Sequence, residues 1–162
     1  MAEIVIATRQ AISLNGFSAR RNKAISERQV WNMKIGYARE SGLWFPLEVK
    51  KKMLLNEELD AIACDTADES SKFEHLFKSM SKGDSLIICG VDDIGNTKDE
   101  ITEAWYRLRN LNIEIHVLTA PMLFYRENMT LEESFIRDLL LSVLAGQVEI
   151  ENQKLKAIND LR

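Results

Sequence analysis

Arg39 and Ser41 close the run Ile35-Gly36-Tyr37-Ala38-Arg39-Glu40-Ser41, and they are the pair in this chain best suited to chemistry. The run reads as a short buried strand that delivers both side chains into the loop after its end. In open α/β sheets, ligands gather at the C-terminal ends of the strands. A serine there can serve as a nucleophile, and a neighbouring guanidinium can clamp a phosphate. On the motif alone, the commoner alternative is a loop or N-cap serine that satisfies backbone donors.

The elements that must position this pair follow from the patterning after Met33. Lys34–Ala38 reads as strand one. Pro46 suits the first turn of a helix whose apolar side is Leu47, Val49, Met53 and Leu54. Leu59–Cys64 is a second apolar run, and Phe73, Leu76, Phe77 and Met80 repeat at helical spacing until Gly83. Ser85–Cys89 is a continuous apolar run suited to a central parallel strand. Thr97 to Leu111 is amphipathic through Ile101, Trp105 and Leu108. Ile113–Leu118 reads as a fourth strand, stopped by Pro121. Alternation at this spacing predicts an α/β fold, a mostly parallel four- to five-stranded sheet with crossover helices. Thr130-Leu131-Glu132-Glu133 is a capping box that opens one long C-terminal helix of roughly 48 Å. Its apolar positions (Phe135, Leu139, Leu140, Val143, Leu144, Val148, Leu155, Ile158) exceed what so small a domain can cover, which predicts a partner, often a second copy.

The bulk numbers narrow the function classes. A chain of 162 residues, 46% hydrophobic and 28% charged, suits one soluble globular domain. No apolar run approaches the roughly 18 residues of a membrane span, and Met1–Ala7 lacks the features of a signal peptide. Cys64 and Cys89 read as small buried hydrophobes in a reducing compartment, which points to the cytoplasm. His75 and His116 have no Cys or carboxylate at ligand spacing, so no metal is expected. His116 reads as a half-buried structural residue, and Trp31, Trp44 and Trp105 as core or dimer contacts. The net charge of −4 is uneven: residues 1–33 hold five basic and two acidic residues, leaving −7 on the rest. An acidic body is poor material for tight DNA binding. The basic segment, with Arg20-Arg21-Asn22-Lys23, reads as an extension with one strand (Glu3–Ala7) and one short helix (Ile25–Asn32).

Taken in order, several segments resemble the catalytic domain of serine recombinases, the resolvase/invertase family, over Met33 to Arg162. Gly36-Tyr37-Ala38-Arg39-Glu40-Ser41 is similar to the nucleophile motif. Lys82-Gly83-Asp84-Ser85-Leu86-Ile87-Ile88 resembles the Gly-Asp-led third strand. Val91-Asp92-Asp93-Ile94-Gly95-Asn96-Thr97 falls where the family has Leu-Asp-Arg-Leu-Gly-Arg-Ser, and Leu139 to Asn152 resembles the dimer helix. The resemblance implies a basic extension over 1–32, a resolvase-like α/β domain over 33–128 and a dimerisation helix over 129–162. It implies a serine that attacks a DNA phosphodiester to form a 5′-phosphoserine link, without metal or nucleotide cofactor. An arginine cluster binds the phosphate oxygens. By this carry-over Ser41 is the nucleophile, Arg39 the phosphate clamp and Asp92 the acidic residue that orients the site. Tyr37, Lys50 and Lys72 are the candidate binding residues.

The departures from the family pattern converge on catalysis. Asp93 stands where the family has the Arg after its Asp, and Asn96 where it has the next Arg. The Arg of the loop before the second crossover helix falls near Ser70, with Lys72 close by. Lys50 stands for a Gln and Asn152 for the Arg of the dimer helix. Each lost donor to a developing anion costs about 3–4 kcal/mol, or 10²–10³ in rate. Lys50 or Lys72 compensates only as a point charge. Strand cleavage is therefore expected to be absent or very weak. The family's helix-turn-helix does not follow the long helix before Arg162, so DNA binding by this chain alone is expected to be weak.

Two functions compete: a DNA-cutting recombinase with an atypical arginine set, and a non-catalytic dimerisation or regulatory module that joins active recombinases. An unrelated nucleotide-binding or signalling domain is disfavoured, because no Gly-rich phosphate loop follows strand one.

Overall fold

The computed structural model describes residues 32–66 and 71–161. The strand expected at Glu3–Ala7, the helix expected at Ile25–Asn32 up to its last residue, Trp31, Ser70 and the basic cluster at 20–23 lie outside them. Five strands form the sheet: β1 (Lys34–Arg39), β2 (Ala61–Asp65), β3 (Ser85–Ile88), β4 (Glu114–Val117) and β5 (Phe124–Tyr125). The helices are α1 (Leu47–Leu55), α2 (Ser71–Ser79), α3 (Lys98–Asn110) and α4 (Leu131–Asp160), with a 3₁₀ turn at Val91–Asp93. The strand order is β2-β1-β3-β4-β5, parallel except for β5, which pairs antiparallel with β4. The chain is thus α/β, with a mostly parallel five-stranded sheet and a long C-terminal helix.

Strand alternation divides the interior. Ile35 and Tyr37 face the larger core, which takes in Phe73, Leu76, Trp105, Leu108, Leu141, Ala145 and Val148 from α2, α3 and α4. Ala38, Ile62, Cys64, Ile87 and Cys89 face a smaller core closed by Leu54 of α1. Both cysteines are buried and free, as expected of small hydrophobes. Connections from β1 leave toward β2 and those after β2 return to β3 on its other side. The C-terminal ends of β1 and β3 therefore flank the topological switch point, where such sheets place their ligands.

Local chemistry sets the helix boundaries. Thr97 and Thr130 cap α3 and α4, each accepting a backbone N–H from the residue three positions on. Glu133 completes the capping box of α4 by accepting from the Thr130 N–H. Gly83 occupies the left-handed region (φ 90°) in the turn between α2 and β3. At Gly95 a Cβ would lie 2.7 Å from the backbone nitrogen of Ile101, so only glycine lets this loop close against α3.

Several sequence expectations are corrected. On α1 the inward residues are Lys50 and Leu54, whereas Val49 is exposed, because Leu47, Lys50 and Leu54 share one helical face. His116 is exposed, not half-buried: Ile115 and Val117 point into the larger core, so His116 faces the side that the single helix α1 leaves open. Of the tryptophans read as core or dimer contacts, Trp105 is a core residue and Trp44 lies on the surface. On α4 a face of Arg137, Leu141, Ala145 and Val148 is buried, while Phe135, Leu139 and Val143 are 57–69% exposed. The buried Arg137 guanidinium donates to Asp138 and lies over the Tyr125 ring, tying α4 to β5. No helix among the described residues is long and apolar enough to cross a membrane.

Candidate active site

Four of the six residues singled out from the sequence meet at the ends of β1 and β3. β1 delivers Arg39, the loop after it delivers Ser41, the 3₁₀ turn after β3 carries Asp92, and α1 points Lys50 inward. The Ser41 hydroxyl donates to Asp92 Oδ2 at 2.5 Å. Lys50 Nζ lies 2.5 Å from the same oxygen, 2.8 Å from Asp93 Oδ1, 3.0 Å from the Arg39 carbonyl and 3.3 Å from Ser41 Oγ. Lys50, Asp92 and Asp93 are each 1% exposed. The Lys50 charge is therefore enclosed between two carboxylates.

Asp93 is the residue whose role the sequence did not disclose. Its Oδ2 accepts the backbone N–H groups of Cys89 (2.9 Å) and Gly90 (3.2 Å), and its Oδ1 accepts that of Arg39 (3.0 Å). These contacts fasten the end of β3 to the end of β1. Burial pushes the Asp93 carboxyl up, while Lys50 and the Arg39 N–H pull it back. Burial also works against the Lys50 charge, but Asp93 and Asp92 outweigh it and hold the ammonium above the ordinary lysine range. A usable signal was present in the sequence: Lys50 repeats at i+3 and i−4 with Leu47 and Leu54, so a helix that buries those leucines buries the lysine with them.

Arg39 is committed elsewhere. Its Nη2 donates to the Asp92 carbonyl at 2.7 Å and to Asn96 Oδ1 at 3.0 Å. Its Nε is buried with no acceptor among the described residues. Asn96 is held in turn by α4, whose Asn152 donates to the Asn96 carbonyl at 2.8 Å. The two positions where family arginines were expected, 96 and 152, thus hydrogen-bond to each other beside the guanidinium.

The remaining two candidates lie apart from this cluster. Tyr37 was expected to bind ligand, but it is fully buried, and its hydroxyl donates to Asp65 Oδ2 at 3.0 Å. Burial, and then Asp65, push its phenol far up. Strand alternation sends residue 37 into the larger core, so it is a packing residue. Lys72, also expected to bind, donates its ammonium to the Cys64 carbonyl at 2.6 Å and its N–H to Asp65 at the start of α2. Its charge serves the end of β2 and is not part of the Ser41 cluster. Among the described residues no group of three or more His, Cys, Asp or Glu is arranged to hold a metal ion.

The pKa directions carry a sign. Lys50, Tyr37, Cys64 and Cys89 are all raised, Cys89 to about 12 by burial first and Asp93 second. A raised group stabilises the fold below its unfolded value, and that stability is lost as pH climbs through the folded value. Stability is therefore expected to fall steadily above the ordinary thiol value of 9.0. Urea midpoints at neutral pH and at about pH 10.5 test this, and an unchanged midpoint refutes it.

The arrangement can hold a serine hydroxyl against a carboxylate, but both nearby cations are already paired or hydrogen-bonded within the protein. No protein-family model matches the chain, and no curated protein matches it.

Proposed function

We propose that this chain is a serine-recombinase-like protein of the resolvase/invertase type, built to associate through α4 and impaired in DNA strand cleavage. The observation that carries the reading is the meeting of Ser41 with Asp92 at 2.5 Å, with Arg39 turned onto Asn96. This contact supports the reading because the resemblance assigns Ser41 the nucleophile's part and Asp92 that of the acidic residue beside it. Lys50, the nearest cation, is enclosed, and Arg39 spends its Nη2 on the Asp92 carbonyl and Asn96 while its Nε keeps no acceptor among the described residues. Electrostatic stabilisation supplies most of the acceleration in phosphoryl transfer, so a site whose lysine is enclosed and whose single arginine is partly engaged loses much of its rate.

The experiment is direct. The protein is incubated with supercoiled DNA carrying candidate recombination sites, and covalent protein–DNA adduct is assayed with Ser41→Ala as control. No adduct above the control is expected. An adduct that disappears in Ser41→Ala overturns the impairment.

The homodimer is part of the same proposal. Phe135, Leu139 and Val143 make an exposed apolar stripe at i, i+4, i+8 along α4. Leu139→Glu combined with Val143→Glu is expected to leave the fold intact and convert the dimer to monomer in sedimentation at tens of micromolar. A wild-type chain that is already monomeric there sinks the dimer proposal. The second reading, a regulatory module that pairs with an active recombinase, is favoured by the same stripe. It predicts that the double-Glu variant loses the hetero-association as well. DNA contact by this acidic body alone is proposed to be weak.

A further inference from the structure

The Ser41 hydroxyl has one hydrogen and two lone pairs, and all three are occupied. A carboxylate only accepts, so the hydrogen points to Asp92 Oδ2. The lone pairs face two donors, the Leu43 N–H at 3.2 Å and the Lys50 ammonium at 3.3 Å. Lys50 has three N–H groups for four acceptors, so its 3.3 Å contact to Ser41 Oγ, the longest of the four, shares an N–H with one of the closer acceptors Asp92 Oδ2, Asp93 Oδ1 and the Arg39 carbonyl. Every positive hydrogen of that ammonium is aimed inside the protein.

We infer that Lys50 is a positioning residue that holds Ser41 at rest: with the Leu43 N–H it covers both lone pairs of the hydroxyl, and its own charge is matched internally by Asp92 and Asp93. This differs from a phosphate-binding lysine, which must present its ammonium to solvent. The site so built takes no inorganic anion at Lys50. An incoming electrophile finds no free lone pair on Ser41 until the Lys50 or the Leu43 contact is given up. The inference rests on the preceding reading only in treating Ser41 as the reactive serine.

The test uses the full chain with ¹⁵N-labelled lysine. An ammonium buried among acceptors exchanges its hydrogens slowly and gives a resolved ¹⁵Nζ–¹H signal near neutral pH, which solvent-exposed lysines lose to exchange. Lys72→Arg and Lys51→Arg remove the engaged ammonium on the Cys64 carbonyl and the one paired with Glu48, so assignment needs no substitution at Lys50. The Lys50 signal is expected to persist, to shift in Ser41→Ala, and to stay unmoved when inorganic phosphate is added. Absence of a slowly exchanging signal overturns the inference. So does a signal indifferent to Ser41→Ala, and so does a saturable shift with phosphate. None of these readouts involves DNA. The Lys50 inference can therefore fail while the recombinase-like reading stands, and an active DNA-cleaving site can be found while Lys50 behaves as described.

Discussion

Asp93→Arg, the substitution that would place the family's arginine beside Asp92, is expected to unfold the protein rather than create a DNA-cutting enzyme. The Asp93 carboxylate is the shared acceptor of the Cys89, Gly90 and Arg39 N–H groups and of the Lys50 ammonium. An arginine accepts nothing. Three backbone donors are left without partners, each costing about 1–3 kcal/mol when buried. A second cation is also set beside Lys50 in a site that excludes water. The sum exceeds about 5 kcal/mol, comparable to the whole stability of a small domain. Soluble yield and a urea transition monitored by circular dichroism measure it. The control is Asn96→Arg: that side chain is exposed, and its change is expected to cost no more than about 1 kcal/mol. If Asp93→Arg melts close to wild type, the structural role assigned to Asp93 is wrong.

Lys50→Met should be nearly as severe, through the opposite charge. Methionine matches the length of the stem but removes the one ammonium between two buried carboxylates. Removing a single partner of a buried ion pair costs about 3–5 kcal/mol, because the charge left behind stays buried without compensation. Adding Asp93→Asn removes one of the two charges left behind and keeps one amide oxygen for the backbone donors. The double variant is expected to recover roughly 1–2 kcal/mol of the loss, a coupling typical of residues in contact. Urea midpoints at constant slope give all the values needed. Strict additivity of the two substitutions would show that the pair is not coupled.

The sheet was largely legible because its central strands are buried on both faces and so read as near-continuous apolar runs, Ile35–Ala38 and Ser85–Cys89 above all. Thr97 and Thr130 announced their helices through capping chemistry that acts within four residues. Arg39 and Ser41 could be gathered because they lie at and just past the end of strand one, whereas Asp92 came only through the resemblance. What escaped was set by tertiary contact. β5 is two residues long and exists only because Phe124 and Tyr125 pair with His116 and Ile115. Asp93 and Asn96 looked like lost cations. In the folded chain Asp93 is instead the acceptor for three backbone N–H groups on two segments, and Asn96 an acceptor for Arg39. Tyr37 stood beside the motif in sequence, yet the two-residue period of a strand sends its side chain into the core.

That brief fifth strand has a consequence for one edge of the sheet. A sheet edge with unpaired N–H and C=O groups is a template for another chain, and long flat edges are where proteins stack into fibrils. Here β4 gives part of that edge to β5, and β5 offers a row of only two residues before the chain turns away toward α4. A third molecule has almost nothing there to continue. At this edge, open-ended strand addition has little to build on, whereas the opposite edge is the five-residue strand β2.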